Sequence, residues 1–341
     1  MQVLAGDIGG TKTLLALCEV GARIEVLARQ RYDSRRYPGL ATICLAFAAE
    51  QARPLPAHAA FGVAGPVVNG RSQTTNLPWV LDERELAQSL GIKSVRLAND
   101  FHTLTLGIQS VDAKNLAVLN EGARDPQGPW AVLGAGTGLG EAFATLGGSG
   151  QREVRATEGG HCSFSPRGEL EIGILRFLSQ RYDHVSWERL LSGDGLVNLV
   201  EALAQLAGIA PPADLADAIA RDRPHAPPLV TAGAQAGHPL CKQALEMFCK
   251  LYGSEAGNLA LKTLATGGVF VAGGIAPRII ESLEDGRFRS AFLDKGRMRP
   301  LLEKIPVRVV LDTEAGLLGA AVLAAQSAQL QPQIRHTGTP R

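Results

Sequence analysis

The sequence lacks an excess of either charge, which limits the partners it could bind. It contains 34 Lys and Arg against 33 Asp and Glu in 341 residues, so its formal net charge at neutral pH is +1. Proteins that bind nucleic acid usually carry a basic patch and a clearly positive balance. We therefore expect no nucleic-acid partner.

A long apolar run is also missing. No stretch approaches the roughly 18 apolar residues that predict a membrane span, and the opening residues MQVLAGDIGG lack the basic region and long apolar core of a secretory signal. With 45% hydrophobic and 20% charged residues, the composition is typical of a globular protein. We expect no membrane partner and a cytoplasmic location.

Cysteine is scarce and scattered. The chain has five, an odd number, and none forms the closely spaced pair of a zinc site: Cys18, Cys44, Cys162, Cys241 and Cys249. This argues against disulfides and against structural zinc. Cys241 and Cys249 lie in a stretch of helical character, where we expect them to be buried as small apolar side chains.

One feature that is present twice is a hairpin with glycines at its tip. Residues 2–7 are typical of a strand, Gly9 and Gly10 of a tight turn, and TLLALCEV of a second strand. The same order recurs in WAVLGAG, a glycine-rich turn and EAFATL, within a second module that starts near residue 111. The length allows two domains of about 100–200 residues each, and the pattern predicts mixed sheet and helix.

Both glycine runs fail the familiar nucleotide-binding patterns. GDIGGTKT has Thr11 where a P-loop needs glycine, and an apolar strand follows where a P-loop needs a helix. GAGTGLG lacks the dinucleotide spacing. A glycine hairpin is usually only a turn, but two can bind polyphosphate through backbone N–H groups, and Asp7 is then best explained as a partner of Mg²⁺. Gly273 and Gly274 end another apolar strand, at the edge where α/β sheets bind ligands.

Polar candidates lie at the ends of predicted elements. Asn99 and Asp100 follow the strand SVRLA, and on the residues alone Asp100 is a helix cap, a metal ligand or a base. Glu158 and His161 flank two glycines in ATEGGHCSF and could meet at one polar ligand, although local backbone partners are the simpler interpretation. Glu188 in SWERLLSG is typical of a helix surface. Without HExxH or CxxC, a metal is the poorer interpretation of Glu158 and His161.

Several motifs occur in one order along nearly the whole chain: GDIGGT, NLPW at 76–79, LANDF, GAGTGLG, EGGH, ERLLSGDGLVNL and GGVFVAGGIAPR. In this combination the chain resembles the bacterial ATP-dependent glucokinases of the proteobacterial type, in the hexokinase–actin superfamily. The resemblance implies an α/β fold in two ribonuclease-H-like lobes, with the active site in the interlobe cleft. We expect a small α/β domain at 1–110 and 306–328, a large α/β domain at 111–305 and a polar C-terminal tail at 329–341.

The resemblance also implies an activity and its ligands. Such an enzyme transfers the γ-phosphate of ATP, with Mg²⁺, to the 6-hydroxyl of glucose and yields glucose 6-phosphate and ADP. A homodimer is expected. No zinc is expected, because the related repressor-and-kinase branch carries a cysteine-rich motif after its EGGH-like segment, and here only Cys162 follows.

The matched positions assign the site residues. Asp100 stands at the position of the catalytic base, and Asp7 at the position that acts on Mg²⁺ through water. The residues at sugar-binding positions are Asn99, Asp100, Glu158, His161, Glu188 and Asn76 of NLPW. Those at nucleotide-binding positions are Gly6, Asp7, Ile8, Gly9, Gly10, Thr11, Gly136, Thr137, Gly138, Gly273 and Gly274.

Three other functions remain open on the same fold. One is a kinase for another hexose or an amino sugar, or one that uses polyphosphate as donor. The second is a non-catalytic regulator that responds to sugar, against which the retained Asp7 and Asp100 count. An actin-like filament protein is less favoured, because the acidic sugar-binding positions would have no purpose there.

Overall fold

Strands with small or branched apolar side chains build two α/β units. The computed structural model describes residues 1–74, 77–148 and 150–329. Unit 1 comprises Met1–Val111 together with the segment from Glu314 onward, and unit 2 comprises Asp112–Thr313. Among the described residues, no helix is both long enough and apolar enough to cross a membrane.

The regular elements follow the expected order along the chain. The strands are β1 (Gln2–Ile8), β2 (Lys12–Val20), β3 (Ile24–Asp33), β4 (His58–Val63), β5 (Arg71–Gln73), β6 (Val80–Asp82), β7 (Ser94–Asn99), β8 (Leu116–Asn120), β9 (Trp130–Ala135), β10 (Leu139–Leu146), β11 (Arg152–Thr157), β12 (Gly268–Ala272) and β13 (Val307–Val310). The helices are α1 (Leu40–Glu50), α2 (Glu83–Leu90), α3 (Asp100–Gly107), α4 (Gly168–Leu178), α5 (Gly193–Ala207), α6 (Ala213–Arg221), α7 (Ala226–Gln235), α8 (Pro239–Thr263), α9 (Ile280–Glu284), α10 (Arg287–Leu293), α11 (Arg299–Glu303) and α12 (Ala315–Gln329).

The two main sheets repeat one pattern. In unit 1 the strand order is β3-β2-β1-β4-β7, with an antiparallel meander of β1 to β3 and with β4 parallel to both β1 and β7. In unit 2 the order is β11-β10-β9-β12-β13-β8: an antiparallel meander of β9 to β11 is again followed by a strand parallel to both neighbours, β12, and the edge strand β8 is antiparallel to β13. The repeat of the glycine-tipped hairpin that the sequence predicts is therefore confirmed.

Different helices cover the two faces of the unit 1 sheet. Leu4 and Ile8 of β1 share a core with α1 and α2, whereas Val3 and Ala5 share a core with α12. This alternation follows from the two-residue period of a strand. In unit 2 a larger core surrounds α8, a 25-residue helix whose Cys241 and Cys249 are fully buried, as predicted.

Cap residues mark both ends of α2. Asp82 accepts hydrogen bonds from the Arg84 and Glu85 N–H groups at the start of α2. Gly91 ends the same helix at φ 65°, in the left-handed region that favours glycine. Both residues are of the types that favour the helix ends they occupy.

The boundary between the units lies later than expected near the C-terminus. β13 pairs with β12 and β8 of unit 2, so residues 307–313 belong to that unit and the chain returns to unit 1 only at Glu314. The segment 306–328, expected in the small domain, therefore begins with a strand of the other unit. The expected tail at 329–341 lies almost entirely outside the described residues.

Helices α3 and α12 pack closely because each has a glycine at the crossing. A Cβ added at Gly319 would overlap the Thr103 carbonyl, and one added at Gly107 would overlap the Ala315 carbonyl. Gly316, one turn earlier in α12, has open space around it.

We expect Gly319→Ala to destabilise the protein by about 1–3 kcal/mol, because the added methyl must push the α3 backbone away. Gly316→Ala is the matched control and should stabilise by up to about 1 kcal/mol, because alanine favours helix more than glycine does. Thermal melts of both variants against the parent test this. Equal shifts of the two melting temperatures would contradict the close crossing.

Candidate active site

The first glycine turn, in unit 1, is fixed by a buried serine. The Gly9 N–H donates to the Lys12 carbonyl at 2.9 Å, which closes the turn between β1 and β2. Ser34, fully buried, donates through its hydroxyl to the Gly9 carbonyl at 3.3 Å and through its N–H to the Thr11 carbonyl at 3.0 Å. Gly9 and Gly10 are partly accessible and Thr11 is exposed, so the tip of the turn can contact a ligand.

The two residues on either side of Asp7, Gly6 and Ile8, pack in the core of unit 1. Ile8 is buried against the α1 side of the sheet. A Cβ added at Gly6 would lie 2.6 Å from Phe61 Cδ1 and 2.8 Å from Leu15 Cδ2, so glycine is needed there for packing. Their assignment to nucleotide binding stays a prediction, and only their backbone atoms could carry it.

Asp7 is a half-buried carboxylate near the end of β1. Burial raises its pKa above the ordinary range, and no cationic side chain in the described part of the chain offsets the effect. A carboxylate in this state fits a cation. Mg²⁺ commonly uses one or two carboxylates and keeps water and phosphate oxygens as its other ligands. Within the described ranges no group of three His, Cys, Asp or Glu could hold a metal, so an ion at Asp7 would depend on water and phosphate for most of its ligands.

Asn99 and Asp100 lie at the same edge of the unit 1 sheet as Asp7. β1, β4 and β7 are parallel, and their registers align Ile8 with Val63 and Val63 with Asn99. The carboxyl ends of these strands therefore lie side by side, where α/β sheets bind ligands.

The cap of α3 is Asn99 and not Asp100. Asn99 Oδ1 accepts from the Phe101 N–H at 2.9 Å, and its Nδ2 donates to the Gly65 carbonyl at 3.2 Å. Asp100, half-buried, begins the helix, and its Oδ1 lies 3.0 Å from the Phe101 N–H. Asn99 thus fixes the strand-to-helix turn from which the Asp100 carboxylate extends.

The second glycine turn, in unit 2, joins β9 to β10. The Gly136 N–H donates to the Gly138 carbonyl at 2.8 Å, and Thr137 between them is exposed. The Gly193 N–H at the start of α5 donates to the Gly136 carbonyl, also at 2.8 Å. The turn is therefore tied to the first residue of a 15-residue helix.

Glu188 is bound to this turn. Its Oε2 accepts from the Leu139 N–H at 2.9 Å, and a Cβ at Gly138 would overlap that oxygen. The residue lies in a short 3₁₀ helix, Trp187–Arg189, and its side chain is 27% exposed. Glu188 is therefore held by a backbone N–H 49 residues earlier in the chain, whereas the segment alone is typical of a helix surface; its assignment to sugar binding stays a prediction.

The two glycines of EGGH are needed for close approach to β10. A Cβ at Gly159 would overlap a carboxylate oxygen of Glu141, and one at Gly160 would overlap the Leu139 carbonyl. Neither glycine has a positive φ. The turn between Glu158 and His161, which we call the EGGH turn, therefore lies directly on the strand that follows the second glycine turn.

His161 lies between two carboxylates. Its Nε2 is 3.8 Å from Glu158 Oε2, and its Nδ1 is 3.9 Å from Glu188 Oε1. The side chains of His161 and Glu158 are 59% and 66% exposed. Unit 2 thus brings together three of the predicted sugar-binding residues, as the sequence suggested for Glu158 and His161. Donor and acceptor groups so arranged suit the hydroxyls of a polar ligand.

The Gly273-Gly274 pair lies beside the second glycine turn. β12 is parallel to β9, and the Ile275 N–H donates to the Ala135 carbonyl at 3.1 Å. Gly273 has φ 83°, and a Cβ there would lie 2.5 Å from the Ala135 carbonyl oxygen, so an L side chain would be strained and crowded. The backbones that follow two parallel strands meet at this edge of the unit 2 sheet.

Asn76 lies outside the described residues, and its role stays a prediction.

Glu141 is a buried carboxylate that the sequence interpretation missed. A single acidic residue within the apolar strand EAFATL was the signal that could have identified it.

Comparison with known proteins gives consistent matches over nearly the whole chain. The Glucokinase family model matches residues 4–327. The glucokinase of Nostoc sp. is 41% identical over 339 residues, covering 95% of this chain and 99% of the relative. The glucokinase of Synechocystis sp. is 42% identical over 360 residues, covering 96% and 99%.

A solved structure shows the same likeness. The crystal structure of glucokinase from an Antarctic psychrotroph superimposes with a TM-score of 0.84 at 30% identity, covering 95% of this chain and 99% of that chain. The predicted α/β fold with two ribonuclease-H-like units is confirmed.

The desolvated charge of the half-buried Asp7 predicts a gain in stability when it is removed. Because the folded-state pKa is raised, the folded protein holds this proton more tightly than the unfolded chain, and folding loses stability as pH rises through the ordinary Asp pKa. Asp7→Asn should therefore melt at a higher temperature than the parent at neutral pH, and the difference should shrink towards about pH 4.

Melting curves without divalent cations measure this difference. Asp112→Asn, at an aspartate whose side chain is 74% exposed, is the control and should change little at any pH. A parent that melts above Asp7→Asn at neutral pH would show that the carboxylate is not a buried, uncompensated charge.

Proposed function

The chain belongs to the glucokinase family, and we propose that it transfers the γ-phosphate of ATP to the 6-hydroxyl of glucose with Asp100 as the base. It is an ATP-dependent hexose kinase, and its product is glucose 6-phosphate. The observation that carries the proposal is the family match over residues 4–327, together with carboxylates and glycine turns at the strand ends of both units.

A base is needed because a primary alcohol is a poor nucleophile at neutral pH. A carboxylate within hydrogen-bond reach accepts the hydroxyl proton as the bond to phosphorus forms. The half-buried Asp100 at the end of β7 has the chemistry for this step, and the cap made by Asn99 fixes its backbone. Asn99 uses one N–H on Gly65, which leaves its other N–H for a sugar hydroxyl.

The phosphates of ATP need positioning and neutralisation, since phosphoryl transfer leaves the protein little covalent chemistry. The backbone N–H groups of the two glycine turns and of Gly273-Gly274 suit anionic oxygens. Asp7 would hold Mg²⁺ through water, and the ion supplies positive charge to the transferring phosphoryl group when bound.

Glu158, His161 and Glu188 are proposed to bind the ring hydroxyls of the sugar. A site that pairs each hydroxyl rejects a sugar that leaves a buried group without a partner. The 3.8 Å and 3.9 Å spacings on either side of His161 support the assignment, because the three side chains already form one group.

Mg²⁺ dependence, a homodimer and a cytoplasmic location complete the proposal. The location agrees with the use of ATP as donor. Sedimentation equilibrium tests the assembly, and a monomer at all concentrations would exclude the homodimer.

Purified protein with ATP, Mg²⁺ and glucose should release ADP only when the sugar is present. A coupled assay measures this, and a panel of hexoses, amino sugars and polyphosphate at saturating co-substrate separates glucose kinase from the alternative kinases. Sugar binding without turnover would instead point to a regulator on the same fold.

Asp100→Asn should keep the KM for glucose near that of the parent and lower kcat by at least ~10²-fold, the usual contribution of a positioned base. Glu158→Gln should act in the opposite way and raise KM more than it lowers kcat. Initial rates over a glucose series give both constants, with Asp112→Asn as the unaffected control. Near-parental turnover in Asp100→Asn would remove Asp100 from the role of base.

A further inference from the structure

Glu141 is a buried carboxyl group beneath the EGGH turn. It lies on β10, opposite Thr157 of β11, and is 1% exposed. Its Oε1 is buried without a hydrogen-bond partner among the described residues. Its other oxygen lies where a Cβ of Gly159 would be. The carboxyl group therefore supports the middle of the turn that carries Glu158 and His161.

Other ionisable groups face Glu141 from α8. Glu255, which is 0% exposed, and Lys262 both act on it electrostatically, with opposite signs, and Tyr252 is a third neighbour. Glu255 is itself engaged, because it accepts from Asn258 Nδ2 at 2.8 Å and pairs with Lys262 Nζ at 3.4 Å. Lys295 also acts on Glu255 electrostatically. The described partners are thus committed to Glu255 and leave Glu141 unpaired.

We propose that Glu141 is a positioning residue, whose carboxyl group beneath Gly159 holds the EGGH turn in the position that binds glucose. The inference rests on the proposed sugar-binding role of Glu158 and His161. Glu141 has no contact with the sugar in this scheme. It acts only through the turn.

The protonation state of Glu141 should control whether its carboxyl group supports the EGGH turn. Burial raises the pKa of Glu141 to about 7, the charge of Glu255 acts in the same direction, and Lys262 opposes both. Below this pKa the neutral group can stay against Gly159. Above it the buried charge is costly without a partner, so the carboxylate is drawn towards Lys262 and the turn loses its support. The KM for glucose should therefore rise as pH rises through about 7.

The first test compares the parent with Glu141→Gln, which keeps the shape of the neutral acid at every pH. The parental KM for glucose should rise roughly threefold or more between about pH 6 and about pH 8 relative to that of the variant. Ionisations elsewhere in the protein and in the substrates are common to both proteins and cancel in this ratio. The KM for ATP should not show this pH-dependent difference between the parent and the variant. A ratio that does not change with pH overturns the proposal.

A steric test is independent of charge. Gly159→Ala should raise the KM for glucose about tenfold or more, because its methyl displaces the turn from Glu141. The double variant Glu141→Ala/Gly159→Ala should recover most of the loss, since the methyl then occupies the vacated space. Gly148→Ala is the control, with open space in the same unit. Additive losses in the double variant would contradict the contact.

A failure of the role of Glu141 can be distinguished from a failure of the proposed kinase activity. A parent without glucose-dependent turnover would refute the kinase. An active parent with a flat KM ratio and additive losses would refute only the role of Glu141.

Discussion

The hydrogen bond from the Leu139 N–H to Glu188 fixes two parts of unit 2 at once. Leu139 begins β10 directly after the second glycine turn, so the bond ties a proposed sugar ligand to a proposed phosphate turn. The carbonyl of the same residue lies against Gly160 of the EGGH turn. One strand residue therefore sets the spacing between the two groups of ligands. Their geometry depends on backbone atoms, which substitutions at Leu139 would leave in place.

Local patterns allowed most of the fold to be predicted. The two hairpins, the cap at Asp82 and the end of α2 at Gly91 all follow from residues close in sequence. The boundary near residue 306 could not be predicted in this way, because β13 takes its place by pairing with β12 and β8. Strand propensity depends on residues close in sequence, so it does not predict which distant strands pair.

Contacts between residues distant in sequence could not be predicted at the candidate active site either. The glycine turns and EGGH stood out because they interrupt regular patterns, whereas Glu188 lies in a segment without any unusual signal. Its partner is 49 residues earlier in the chain. At the end of β7 the sequence placed two capping residues together, and only the backbone geometry decided that Asn99 is the cap. The proposed role of Asp100 as the base rests on its position beside this cap.

Low net charge constrains how such a site could bind ATP. A chain with a formal charge of +1 has no strong overall field to attract a polyanion, and its proposed ligands add Asp7, Asp100, Glu158 and Glu188. Attraction must then be local. Backbone N–H groups supply part of it, because glycine lets them approach phosphate oxygens without a side chain between. The proposed cation would supply the rest. Asp7 suits it for the same reason that makes its charge costly alone, since no cationic side chain among the described residues offsets the desolvation of that charge.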